Sequence, residues 1–156
     1  MADKTKILFI CLGNICRSPA AEGVFLHKIE GLGLRDGFEV DSAGLHGYHE
    51  GELADRRMRD RSYLRGYKLV SRSRPVIKKD FDYFDYIFAM DEANIRALKG
   101  LATIEQFKKI TKLSNYCSEY NTDSIPDPYY GSLDDFDHVL DLLEDACDNL
   151  IETLIK

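Results

Sequence analysis

KILFICLGNICRSP, residues 6–19, carries two structural elements and the joint between them. Positions 6–14 are apolar until Gly13 and Asn14, which reads as a buried strand running into a turn. Ser18 followed by Pro19 reads as a helix start, a hydroxyl cap with a proline in the first turn. The helix continues through Val24, Phe25 and Ile29 toward Gly31 or Gly33. Working outward, FEVDSAG (38–44) predicts a second strand, and ELADRRMRDRSYLRG (52–66) a helix ended by Gly66. FDYIFAM (84–90) predicts a third strand, and the following DEANIRALKG a helix with Asp91 near its cap. KITKLSNY (109–116) is a candidate fourth strand, and 121–131 is loop broken by Pro126 and Pro128. Phe136, Val139, Leu140, Leu143, Cys147, Leu150, Ile151 and Leu154 recur at helical spacing along one face of a long last helix. Strands alternating with helices predict an α/β fold over residues 1–156: one domain, a four-stranded parallel sheet with helices on both faces.

The chain has 156 residues, 44% of them hydrophobic and 31% charged, which suits one self-sufficient core and excludes a disordered chain. No apolar run approaches the ~20 residues of a membrane span. The apolar stretch near the N-terminus is too short, and too quickly polar, for a signal peptide. A net charge of -6 argues against general nucleic-acid binding. Four cysteines without an export signal point to free thiols in a reducing, cytoplasmic compartment. Charge is segregated: ten Lys or Arg against one Asp from Arg56 to Lys79, and eleven Asp or Glu against one Lys from Tyr116 onward. That pattern fits either solvated helix faces or a bipolar molecule whose basic side meets an acidic partner.

The joint itself carries chemistry. A loop between a strand and a helix exposes backbone N–H groups, and the helix N-terminus adds partial positive charge, so Leu12 to Ser18 form a cradle for an oxyanion. Arg17 can close it, because a guanidinium fork binds two phosphate oxygens at once. Cys11 falls at the carboxyl end of the strand, where open α/β sheets bind ligands. The same amides, dipole and guanidinium favour a thiolate there. Without Gly-Lys-Ser/Thr after it, the loop is not a nucleotide-binding phosphate loop. Cys11 and Cys16 have four residues between them, not a usual structural zinc spacing, and the sequence calls for no metal or cofactor.

A second element is Asp127-Pro128-Tyr129-Tyr130-Gly131. A thiolate attacking a phosphate ester expels an alkoxide or phenoxide that needs a proton, and Asp127 on a loop over the pocket can supply it. The carboxylate left behind can then activate water. Taken alone, Asp127 is equally an ordinary turn residue, since Asp-Pro favours turns.

CLGNICRSP near the N-terminus, DSAG (41–44), MDEAN (90–94) and DPYYG (127–131), in this order and spacing, resemble the low-molecular-weight protein tyrosine phosphatases across essentially the whole chain. The resemblance implies Cys11 as nucleophile, Arg17 as phosphate ligand, and Asp127 as general acid. It implies a phosphate-binding loop of Leu12, Gly13, Asn14, Ile15, Cys16, Arg17 and Ser18, braced by Asn14, Ser18 and Ser42, with Ser18 assisting departure of the thiolate. By similarity Leu12, Tyr48, Tyr129 and Tyr130 flank a slot for a phenyl ring, and Cys16 captures oxidised Cys11 as a disulfide. The implied partners are phosphotyrosine proteins or peptides, with phosphate or other tetrahedral oxyanions as inhibitors.

Two positions depart from the pattern. Ser71, in VSRSRPV (70–76), stands where many members carry a His of the bracing network, and Leu45 stands where a small residue is common. Two other readings compete with phosphotyrosine hydrolysis. Arsenate reduction on the same fold needs further cysteines to relay a disulfide, which Cys117 and Cys147 do not signal. A catalytically idle phosphotyrosine-binding module would need loss of Cys11, Arg17 or Asp127, and all three are present.

Overall fold

A computed structural model describes residues 3–156. Four strands and six α-helices follow one another as β1 (Thr5–Cys11), α1 (Arg17–Gly31), β2 (Phe38–Gly44), α2 (Arg56–Tyr63), α3 (Asp80–Tyr83), β3 (Tyr86–Ala89), α4 (Glu92–Leu101), α5 (Ile104–Phe107), β4 (Ile110–Lys112) and α6 (Leu133–Leu154). All pairings are parallel, in the order β2-β1-β3-β4. The expected α/β architecture is therefore the observed one.

Period-two alternation in β1 builds the two halves of the core. Ile7, Phe9 and Cys11 face one side, packing with Val24 and Phe25 of α1 and with Phe136, Leu140 and Leu143 of α6. Leu8 and Ile10 face the other, with Phe81, Phe84 and Leu98. Cys11 is thus the last side chain of β1 on the α1 side, at the carboxyl edge of a central strand.

Several boundaries move from their predicted places, each for a local reason. β1 ends at Cys11 rather than Asn14, because the Leu45 N–H reaches the carbonyls of both Cys11 and Leu12 and draws the chain out of the ladder. α2 starts at Arg56 rather than near Glu52. Residues 51–53 instead pair with 72–73, through Gly51 N–H to Ser73 O and Ser73 N–H to Glu52 O, both 2.8 Å. Asp55 then caps the helix by accepting from the Arg57 N–H at 2.8 Å. β4 is only three residues long, since Leu113–Tyr116 turn into a 3-10 helix. α3 and α5, of four residues each, are too short for periodicity to reveal.

The segregated charges meet inside the molecule. Arg61 holds both carboxylate oxygens of Asp137 (2.9 and 2.8 Å), and Arg65 contacts Asp141 and Glu144, both at 2.8 Å. Arg61 of α2 and Arg65 just beyond it are therefore matched to carboxylates of α6, which corrects both the solvated-face and the bipolar readings for these two residues.

Candidate active site

Residues 12–16 curl between β1 and α1, with the carbonyls of Leu12, Gly13, Ile15 and Cys16 turned to the protein. Leu12 O accepts from the N–H groups of Leu45 (2.9 Å) and His46 (3.3 Å), Ile15 O from Asp55 (2.7 Å), and Cys16 O from Ala20 (3.3 Å). Gly13 O accepts from the Ser73 hydroxyl at 3.0 Å. The N–H groups of Gly13, Asn14, Ile15 and Cys16 find no acceptor among the described residues. Buried backbone donors demand partners, so four successive unpaired amides at a helix N-terminus match an oxyanion.

Asn14 makes the curl. It takes the left-handed conformation at φ 56°, where Asn is among the few tolerated residues. Its side-chain NH2 donates to the Ser18 hydroxyl at 2.7 Å, and its amide oxygen accepts from the Arg74 N–H at 3.0 Å. The Ser18 oxygen lies 3.0 Å from the Cys11 sulfur. Ser18 is therefore not the predicted helix cap; the cap is Cys16, two residues earlier, and the Ser18 hydroxyl is spent on the loop. Gly44 leaves room for this curl, since a Cβ there would lie a tight 3.0 Å from the Gly13 carbonyl carbon and 3.1 Å from Asn14.

Ser42 lies beside Glu22 of α1. Its hydroxyl donates to Glu22 at 2.6 Å, and Ser71 lies beside the same carboxylate. Burial pushes the Glu22 carboxyl up from its ordinary range, with the Ser42 hydrogen bond opposing and the Asp41 charge reinforcing. The loop is held from outside by the Ser73 hydroxyl and the Arg74 backbone N–H, positions the sequence did not single out.

Arg17 is 2% exposed. Its Nη1 donates to Asp91 Oδ2 at 2.6 Å and to Ile125 O at 3.0 Å. Asp91 was expected only as a cap of α4; it does accept from the Asn94 N–H, and it also orients this guanidinium. The opposite edge, Nε and Nη2, has no hydrogen-bond acceptor among the described residues, with Asp127 Oδ2 3.7 Å from Nη2. That edge suits two phosphate oxygens.

Asp127 is more exposed than Arg17, and its Oδ1 accepts from the Tyr129 N–H at 3.1 Å. Its loop is pinned at one side by the Ile125 N–H to Met90 O bond (2.7 Å). At the other side Arg57 stacks over the rings of Tyr129 and Phe136, 5.4 and 4.6 Å from their centroids. Cys11, Arg17 and Asp127 meet in a cleft of about 300 Å³, with Leu12, Tyr48, Tyr129 and Tyr130 on its walls. His46 and His49 also line it, two residues that no motif in the sequence singles out. The Tyr48 ring stacks on His46 with centroids 4.1 Å apart. Cys16 shares the wall; burial, then the charges of Asp55, Cys11 and Asp127, push its thiol far above the ordinary cysteine range.

The family model for low molecular weight phosphotyrosine protein phosphatase matches residues 6–156. The chain belongs to this family. A low molecular weight phosphotyrosine protein phosphatase of Homo sapiens is 37% identical over 148 residues, covering 94% of this chain and 93% of the relative. A low molecular weight protein-tyrosine-phosphatase of Streptomyces coelicolor is 39% identical over 149 residues, covering 94% and 91%. The crystal structure of a protein tyrosine phosphatase from Entamoeba histolytica, with Hepes in its active site, superposes with a TM-score of 0.95 at 49% identity, covering 97% of each chain. This membership agrees with the resemblance drawn from CLGNICRSP and DPYYG. No helix among the described residues is long and apolar enough to cross a membrane.

Proposed function

We propose that this chain hydrolyses phosphotyrosine in proteins or peptides, and small aryl phosphates, through a phosphocysteine on Cys11. The observation that carries the reading is the convergence of the Cys11 sulfur, four unpaired amides and the free edge of Arg17 on a cleft that the Asp127 carboxyl also lines. The Cys11 thiolate attacks phosphorus in line as the bond to the phenolic oxygen breaks. Arg17 and the amides of residues 13–16 hold the equatorial oxygens, stabilising charge where the transition state carries it. Asp127, protonated, gives its proton to the departing phenoxide. The resulting carboxylate then takes a proton from water, which attacks the phosphocysteine and releases phosphate and the Cys11 thiolate. The Ser18 hydroxyl, 3.0 Å from the sulfur, steadies the thiolate as it leaves.

Phosphate and other tetrahedral oxyanions compete for the same cradle and act as inhibitors. The depth of the slot selects phosphotyrosine, because a phosphoserine is too short to reach its base. The four thiols, unbridged in the described residues, suit a cytoplasmic setting. Turnover of a phosphotyrosine peptide in the presence of chelator tests the reading. Matched phosphotyrosine and phosphoserine peptides should differ by orders of magnitude, and equal rates on both would contradict the slot.

A further inference from the structure

A second groove, of about 410 Å³, opens from the cleft and shares Ile15, His49 and Tyr129 with it. Its far wall carries Arg56, Arg59 and Arg72. The two carboxylates beside them are already engaged. Asp55 accepts both Nε (3.1 Å) and Nη2 (2.9 Å) of Arg57, and Glu52 Oε2 lies 2.7 Å from His49 Nδ1. Arg59 and Arg72 are held instead by neutral acceptors, Arg59 Nε by Ala54 O and Arg72 Nη1 by Gly51 O, both at 2.8 Å. Neither lies within ion-pair distance of a carboxylate among the described residues. Arg56 has only a loose contact, 3.7 Å, to Asp60. In a chain of net charge -6, where Arg61 and Arg65 are matched to α6, this is a local excess of positive charge. Arg72 also sits on backbone held by strand-like pairing of segments 51–53 and 72–73.

Resting on the phosphotyrosine reading above, we infer that this groove binds acidic residues flanking the phosphotyrosine, with Arg59 and Arg72 as the residues that set this preference. The shared wall makes the geometry feasible: a chain whose phosphotyrosine ring enters the cleft past Tyr129 must continue over the adjoining surface, and the groove adjoins the cleft at Ile15, His49 and Tyr129. Guanidiniums anchored through one edge to backbone carbonyls keep their other edge for a carboxylate at little further cost in side-chain freedom.

The test uses phosphotyrosine peptides whose flanking positions carry Asp or its neutral isostere Asn in turn, with an aryl phosphate as control. At one or more positions Asp is expected to raise kcat/KM roughly tenfold at low ionic strength, an advantage that salt erodes. Arg59→Gln with Arg72→Gln should remove the preference while the aryl phosphate is turned over as before. Arg59→Lys with Arg72→Lys, which keeps the charge, should retain part of it. No Asp preference in the wild type at low salt, or an undiminished one in the double Gln variant, overturns the inference. If the Gln variant also loses the aryl phosphate, its loop is damaged, and the wild-type salt dependence and the Lys variant decide. Failure of the phosphatase reading looks different, with neither peptide nor aryl phosphate turned over.

Discussion

Asn14 and Ser18 are tied side chain to side chain, 2.7 Å from amide nitrogen to hydroxyl oxygen, across the turn that separates β1 from α1. The bond fixes the Ser18 oxygen beside the Cys11 sulfur, and Asn14 is also the residue that absorbs the left-handed backbone. Structure and chemistry of the loop therefore depend on the same side chain. Asn14→Ala should destabilise the fold by about 2 kcal/mol, combining the left-handed penalty with the lost hydrogen bonds. It should also lower kcat on aryl phosphates. Asn14→Gly should recover most of the stability and little of the rate. Equal recovery of both would show that the loop needs Asn14 only for its backbone.

Asp127→Ala should cost ~10²–10⁴-fold in kcat, the usual range for a positioned acid. The loss should be larger for phenyl phosphate than for an ester of an acidic phenol, which departs without a proton. Rates on a series of phenols of graded acidity check this. A uniform loss along the series would assign Asp127 to loop structure, which its bond to the Tyr129 N–H could serve.

Glu22 supplies a pH dependence of stability. Its carboxyl is raised in the folded chain, chiefly by burial, above the ordinary value of 4.5. A group raised in this way binds more protons folded than unfolded. Its contribution is thus most favourable below the ordinary glutamate range and is lost as pH rises through the folded value. Glu22→Gln keeps an acceptor for Ser42 and removes the titration. Urea midpoints measured at several pH values from acid to neutral should fall more steeply in wild type than in the variant. Identical slopes would remove Glu22 from the account.

Cys16 and Cys11 line the same cleft. Peroxide should convert the Cys11 sulfur to a sulfenic acid, and attack by the Cys16 sulfur should then form the disulfide with loss of water. Because burial holds Cys16 as a thiol, this capture should be slow at neutral pH and faster in alkali. Wild type should recover activity after a dithiol reductant, whereas Cys16→Ser should keep its phosphatase activity yet be inactivated irreversibly. Equal recovery in both, with no Cys11–Cys16 cross-link by peptide mapping, would leave Cys16 a packing residue.

The sequence made the sheet and the catalytic loop legible because both rest on local signals. FEVDSAG became β2 residue for residue, and the apolar face of the last helix is buried from Phe136 to Ile151. Contacts made by long-range packing were not legible. Nothing local marks Ser73 as the partner of Gly13 or Asp91 as the partner of Arg17, each some sixty to seventy residues distant. The bond from Ser42 to Glu22 was illegible for a related reason: the strand position of Ser42 is local, but its acceptor lies twenty residues away on α1. His46 and His49 form no ligand spacing, and only the curl of the 45–55 segment carries them to the cleft.

The central claim is that Cys11 forms a phosphocysteine and Asp127 drives its turnover. Rapid acid quench of wild-type protein mixed with a labelled aryl phosphate, followed by peptide mapping, tests it most directly. The account predicts label on the peptide containing Cys11, none with Cys11→Ser, and a Cys11→Ser protein that still binds phosphotyrosine peptide through the intact cradle. Substantial turnover by Cys11→Ser, or label mapped to another residue, would contradict it.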